Sequence, residues 1–163
     1  VSAPPYHPVV PANPADADAI VACWWTLMAV HGPIDGRMYE TVPDAQRVYR
    51  EHVRRQIDAS KGVVLVAPTP DEQGIKGYLL GGLGQRSKVY AVREVGMIFD
   101  VAVHPDHRRQ GVGEALVQAA LRRFRLRGLS DVQVTWSPEN RLAHGFWQKM
   151  RFAPLLIEAY RKL

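Results

Sequence analysis

The sequence predicts one α/β (α+β) domain, a sheet covered by helices, and three observations carry that prediction. Segments of helical period and segments of strand period interleave along the chain. The run Glu94–Val103 is apolar on both faces, as a central strand is. It leads through Pro105 and a basic turn carrying Gly111 and Gly113 into an amphipathic helix. A chain of 163 residues can bury a substantial core as one domain.

The elements follow in order. Residues 1–14, with prolines at 4, 5, 8, 11 and 14, suit an extended or mobile lead-in, and residues 15–163 form the domain. Asn13, Pro14 and Asp16 mark a helix start, after which Ile20, Cys23, Trp24, Leu27 and His31 recur at helical spacing up to Gly32-Pro33. A loop over Ile34–Thr41 separates this helix from a second after Pro43, with Ala45, Val48, Tyr49, His52, Val53 and Ile57 on one face. Val63–Ala67 and Ile75–Leu83 read as a hairpin around the turn residues 68–74. The helix after the basic turn buries Val112, Leu116, Ala119, Ala120 and Phe124 and ends at Gly128. Val132–Trp136 is the next strand, Arg141–Met150 a short helix and Leu155–Leu163 a last strand.

The basic turn has the chemistry of an anion site. The first N–H groups of a helix lack intrahelical acceptors and sit at the positive end of its dipole. Gly111 and Gly113 remove Cβ atoms that would keep a phosphate away, while Arg108 and Arg109 add planar cationic donors. A Walker loop needs Gly-Lys-Ser/Thr, but Glu114 and Ala115 follow Gly113. A dinucleotide fingerprint needs a third glycine where Leu116 stands.

What remains is Arg108-x-x-Gly111-x-Gly113 after Val103-x-Pro105, which resembles the acetyl-CoA signature of the GNAT superfamily of N-acetyltransferases. The resemblance is carried further by Asn140, Ala143, Phe146 and Phe152, and is only topological before Gly96. It implies a mixed, mostly antiparallel central sheet with helices on both faces. It also implies a first strand before the first helix, for which Val9-Val10 among prolines is a poor candidate. Acetyl-CoA is the donor so implied, lying on Val101, Ala102 and Val103 and on Arg108, Arg109, Gln110, Gly111, Val112, Gly113 and Glu114. Asn140 would bond the pantetheine arm and Phe146 would pack on it, although Asn140 also reads as a helix N-cap.

Two positions depart from the family pattern. Arg151 stands where glycine is usual, and Trp147 stands where many members carry the tyrosine that protonates the departing thiolate. An indole cannot be that acid, so Trp147 is either an apolar wall or core. Water, Tyr160, Tyr90 or Tyr78 could replace it, and a thiol of pKa about 8.5 also leaves tolerably unaided.

Transfer to an amine requires a base to deprotonate the ammonium. Asp100 and Glu94 are the first candidates, then Glu139 and His144. Asp100 lies within an apolar strand, where a carboxyl is either functional or a paired structural group, and Glu94 also reads as a solvated edge charge. Thr135 occupies the place of the catalytic glutamate of ribosomal-protein acetyltransferases, so that activity is not supported.

The remaining composition narrows the partners. Hydrophobic residues make 47% and charged residues 23%, without an apolar run long enough to span a bilayer or a signal-peptide profile, and a cytoplasmic location is expected. Cys23 is the single cysteine and reads as a buried filler. The +5 charge includes six arginines between Arg108 and Arg127, which an anionic donor accounts for in part, and no nucleic-acid motif is present. His104 and His107 flank Pro105 without a third ligand, so no metal is expected. The expected acceptor is a small-molecule, peptide or protein amine, with a homodimer admitted and neither nucleic acid nor membrane as partner. The alternative is a catalytically silent acyl-CoA-binding or sensing domain.

Overall fold

The structure is a computed structural model that describes residues 7–34, 36–159 and 161. Among them, five strands form one sheet: β1 (Val10–Pro11), β2 (Gly62–Pro68), β3 (Ile75–Gln85), β4 (Glu94–Val103) and β5 (Val132–Val134). Their order follows the chain, and each neighbouring pair is antiparallel except β4 with β5, which is parallel. The helices are α1 (Ala17–His31), α2 (Gly36–Tyr39), α3 (Ala45–Asp58), α4 (Val112–Leu126) and α5 (Arg141–Lys149). This is the mixed sheet flanked by helices on both faces that the family resemblance implies.

Alternation along β2 divides the core. Val63, Leu65 and Ala67 point to one face, where Val112, Leu116, Ala120 and Phe124 of α4 and Trp147 of α5 cover them. Val64 and Val66 point to the other, against Ile20, Cys23 and Trp24 of α1 and Val53 of α3. Gly96 is required where α4 crosses β4, because a Cβ there would stand 2.8 Å from the Phe124 ring.

One irregularity decides which face the middle of β4 serves. Leu80 pairs with Asp100 but Gly81 pairs with Ile98, so Phe99 is an extra residue without a partner. Before this bulge, Gly96 and Ile98 face α4; beyond it, Val101 and Val103 do, and Asp100 and Ala102 turn to α1 and α3. Phe99 itself is 48% exposed, so the strand read as apolar on both faces has one half-open position.

Four expectations are corrected. Val10–Pro11 does form the first strand, paired with Val66 and Leu65; proline is tolerated because β1 is an edge. The loop after α1 contains the short helix α2. β5 stops at Val134, short of Trp136. The last strand over Leu155–Leu163 is not formed: residues 155–159 and 161 are outside any strand, and Leu155, Leu156 and Ile157 are exposed at 81%, 86% and 97%. An apolar run becomes a strand only against a partner edge, and none meets this one among the described residues. Residues 160, 162 and 163 lie outside them, as does the lead-in before His7. No described helix is long and apolar enough to cross a membrane.

Candidate active site

The site has two halves that meet along β4. The first is the turn from Val103 to α4. Pro105–His107 forms a 3-10 turn, and the chain then passes through left-handed backbone at Arg109 (φ 61°) and Gly111 (φ 89°). Arg108 Nε donates to the Val103 carbonyl at 3.1 Å, and Gln110 Nε2 donates to the Asp106 carbonyl at 3.0 Å. Both side chains brace the turn from within. The N–H groups of Gly111, Val112, Gly113 and Glu114 meet no acceptor among the described residues. Four free amides at a helix start are what an anion needs.

Small residues keep this half open. The nearest atoms to a Cβ on Gly111 would be those of the His7 ring, 3.9 Å away, while a Cβ on Gly113 would come within 3.4 Å of Phe146. Phe146 therefore rests on the turn, in edge contact with Trp147 at 5.0 Å between ring centroids. Glu114 pairs with Lys149, which ties α4 to α5. β5 pairs with β4 only from Gly96 to Ile98, so no strand pairs with Val101, Ala102 and Val103 on that side, where the Val103 carbonyl is held by Arg108. An edge without a neighbouring strand can bond the amides of an extended ligand.

The second half is a polar cluster on the α1–α3 face. Tyr49 Oη donates to Asp100 Oδ2 at 2.8 Å and accepts from Tyr78 Oη at 2.9 Å. Tyr49 is also stacked on Trp24, with centroids 4.2 Å apart. Burial raises the Asp100 carboxyl above its usual range, opposed by the Tyr49 bond and by the charges of His52 and His31. Burial lowers the His31 imidazole, with Asp100 pulling the other way. Burial and the nearby Asp100 carboxylate push the Tyr49 hydroxyl up, and burial does the same for Tyr78, so both stay protonated. The Cys23 thiol is pushed by burial to about 12, which makes it inert filler rather than a nucleophile.

The other candidates fall elsewhere. Glu94 sits at the opposite end of β4, exposed and bonded by Gln85 Nε2, and is not brought to Asp100. Glu139 is exposed, and His144 Nδ1 accepts from Trp136 Nε1 at 3.3 Å. Asn140 is buried and caps α5, its Oδ1 accepting from Ala143 N at 3.0 Å. Trp147 is core, 6% exposed and in edge contact with Phe152. Of its replacements as an acid, Tyr90 is exposed under Arg86, Tyr78 belongs to the Asp100 cluster, and Tyr160 lies outside the described residues. The sequence reading missed Tyr49. Its signal was Tyr49 with His52, one helical turn apart on the otherwise apolar inner face of α3.

Arg151 has its own explanation. Phe152 N bonds the Trp147 carbonyl and Arg151 N the Gln148 carbonyl, the two bonds of a Schellman turn that closes α5. Arg151 is its left-handed residue (φ 65°), the position that favours glycine.

Comparison with known proteins accords with this geometry. The family described as Acetyltransferase (GNAT) family matches residues 34–152, and the chain belongs to that family. No curated protein matches the sequence. Among solved structures, a mutant BH1408 protein of Bacillus halodurans superposes with a TM-score of 0.85 at 15% identity, over 96% of this chain and 99% of that one. The aminoglycoside antibiotic 6'-N-acetyltransferase AAC(6')-IG of Acinetobacter haemolyticus gives 0.74 at 14%, over 96% and 97%. The aminoglycoside N-acetyltransferase AAC(6')-Iy in complex with CoA gives 0.76 at 16%, over 96% and 95%.

Proposed function

We propose that the protein is an N-acetyltransferase that moves an acetyl group from acetyl-CoA to a primary amine by direct nucleophilic attack, with Asp100 as general base. The observation that carries this reading is the placement of a part-buried carboxyl, bonded by Tyr49, on the strand whose end opens into the free amides of the turn. When bound, acetyl-CoA supplies the thioester carbonyl that the amine attacks.

The chain's own residues divide the work. The amides of Gly111–Glu114 and the Arg108 and Arg109 side chains hold the diphosphate, while the edge of Val101, Ala102 and Val103 aligns the pantetheine arm. Asn140 and Phe146 flank that arm. Asp100, raised by burial, takes a proton from the acceptor ammonium, directly or through water. Tyr49 aims the carboxylate and leaves its second oxygen for that proton. Trp147 supports the fold under Phe146 and carries no proton, so the thiolate leaves unaided or protonated by water. The aminoglycoside acetyltransferases among the fold neighbours support a small-molecule amine as acceptor.

A thermal melt with acetyl-CoA, free CoA and NAD, followed by a screen of amines for thiol release, tests the reading. A rise specific to the two CoA compounds and thiol release that requires an amine are the expected results. Binding without release from any amine would favour the silent acyl-CoA-binding domain, a reading that the buried Trp147 in place of tyrosine motivates. No shift at saturating acetyl-CoA would remove the turn from the proposal.

A further inference from the structure

The lead-in reaches the turn from the far end of the chain. His7 Nε2 lies 2.6 Å from the Gln110 carbonyl oxygen, 103 residues away in sequence. A carbonyl oxygen only accepts, so Nε2 carries the hydrogen and the ring donates. Nδ1 is then the bare nitrogen; it is buried and meets no partner among the described residues. The same ring stands 3.9 Å from where a Cβ on Gly111 would be, so it lies against the Gln110–Gly111 peptide.

The segment behind His7 is fixed. Val9 packs into the core beneath α4, Val10 and Pro11 pair with Val66 and Leu65, and Ala12 N donates to the Val64 carbonyl at 2.9 Å. His7 is thus carried on the sheet edge, a few residues before the pairing begins.

The peptide that His7 holds is the one most able to turn over. It lies between Gln110 and Gly111, next to left-handed Arg109 and itself entering left-handed Gly111. Glycine offers little resistance to the alternative orientation. The Gln110 carbonyl accepts no other bond among the described residues, Glu114 N included. In a planar trans peptide the carbonyl oxygen and the following N–H point in opposite directions. A donor that fixes the oxygen on one side therefore fixes the Gly111 N–H on the other.

We infer that His7 is a positioning residue of the donor site: by donating to the Gln110 carbonyl it keeps the Gly111 N–H turned toward the phosphate side of the turn. Without it, the peptide is free to present a carbonyl oxygen to an anion, which repels it. The inference rests on the turn being the site of the CoA diphosphate, and it makes His7 part of that site.

Two variants separate the hydrogen bond from the packing of the ring. His7→Phe keeps an aromatic ring and deletes the donor; His7→Gln deletes the ring and can donate from its side-chain amide. Acetyl-CoA affinity by calorimetry, on the full chain, should fall roughly five- to tenfold in His7→Phe and stay within about twofold in His7→Gln. KM for acetyl-CoA should rise in His7→Phe with kcat at saturating donor retained, and the unliganded melting temperatures monitor folding. Wild-type affinity in His7→Phe would overturn the proposal, as would equal losses in the two variants. A wild-type protein that does not bind acetyl-CoA would overturn the donor site itself and this inference with it, an outcome distinct from loss of the His7 effect alone.

Discussion

Tyr49 and Asp100, 51 residues apart and on different elements, are joined by a 2.8 Å hydrogen bond across the α3–β4 interface. The tyrosine is the donor, so it favours the ionised carboxylate and partly offsets the burial that opposes ionisation. Removing the hydroxyl leaves burial opposed only by the charges of His52 and His31.

Tyr49→Phe should therefore move the acidic limb of the pH–rate profile to higher pH. Turnover should drop near neutrality and recover in alkaline buffer. Loss of a part-buried bond that Tyr78 also shares should lower stability by about 1–3 kcal/mol in denaturant titrations. An unmoved limb would mean that Asp100 is not the group titrating in turnover.

Asp100→Asn tests the carboxyl itself, with two readouts. If Asp100 is the base, transfer should suffer more at neutral pH than at high pH, where the acceptor amine deprotonates without help. Equal loss at both would leave Asp100 a structural group. The stability readout has a fixed sign. The folded carboxyl sits above its ordinary 3.8, so its contribution is fully present below that value and is lost as pH rises through the folded value. The variant lacks this loss. Its unfolding free energy relative to wild type should improve from about pH 4 up to the folded value and level off above it, as urea melts at a series of pH values would record. A flat difference would contradict the raised carboxyl.

Gly111→Leu should abolish acetyl-CoA binding while leaving a folded domain. The position has φ 89°, which costs a branched residue about 1–2 kcal/mol, and the added side chain covers the free amides. Calorimetry with acetyl-CoA reports the loss and circular dichroism the fold. Retained affinity would detach the turn from the donor.

Gly128 and Arg151 close α4 and α5 by the same pair of hydrogen bonds and share the same left-handed backbone, φ 78° and 65°. Only one of them is glycine. Arg151→Gly should therefore stabilise the protein by roughly 0.5–1 kcal/mol, and Gly128→Ala should destabilise it by a similar amount. Thermal unfolding of the two variants checks both signs together.

The local architecture of the turn was legible in the sequence because it is contiguous. From Glu94 to Leu126 one strand, one turn and one helix follow without interruption, and their bounds match closely. The polar cluster around Asp100 was not, because it exists only across elements. Asp100 could be suspected as a carboxyl in an apolar strand, but nothing near it announces Tyr49. The bulge at Phe99 leaves no mark in the pattern Ile98-Phe99-Asp100-Val101, which is compatible with either face. Pro11 argued against a strand that only an edge position permits, and Leu155–Ile157 argued for one that no edge accepts. In each case pairing, a long-range property, overrode local preference.

The unpaired Phe99 also sets how this chain can vary. Substitution at 99 changes one half-exposed side chain, and deletion of that single residue would restore continuous pairing while leaving every side chain from Asp100 to Val103 on its present face. Asp100 would still lie opposite Leu80 and keep its place beside Tyr49, whereas loss of a residue between Asp100 and Val103 would turn the rest of the strand over. In a library of length variants, loss of residue 99 should be tolerated better than loss of any residue from Asp100 to Val103.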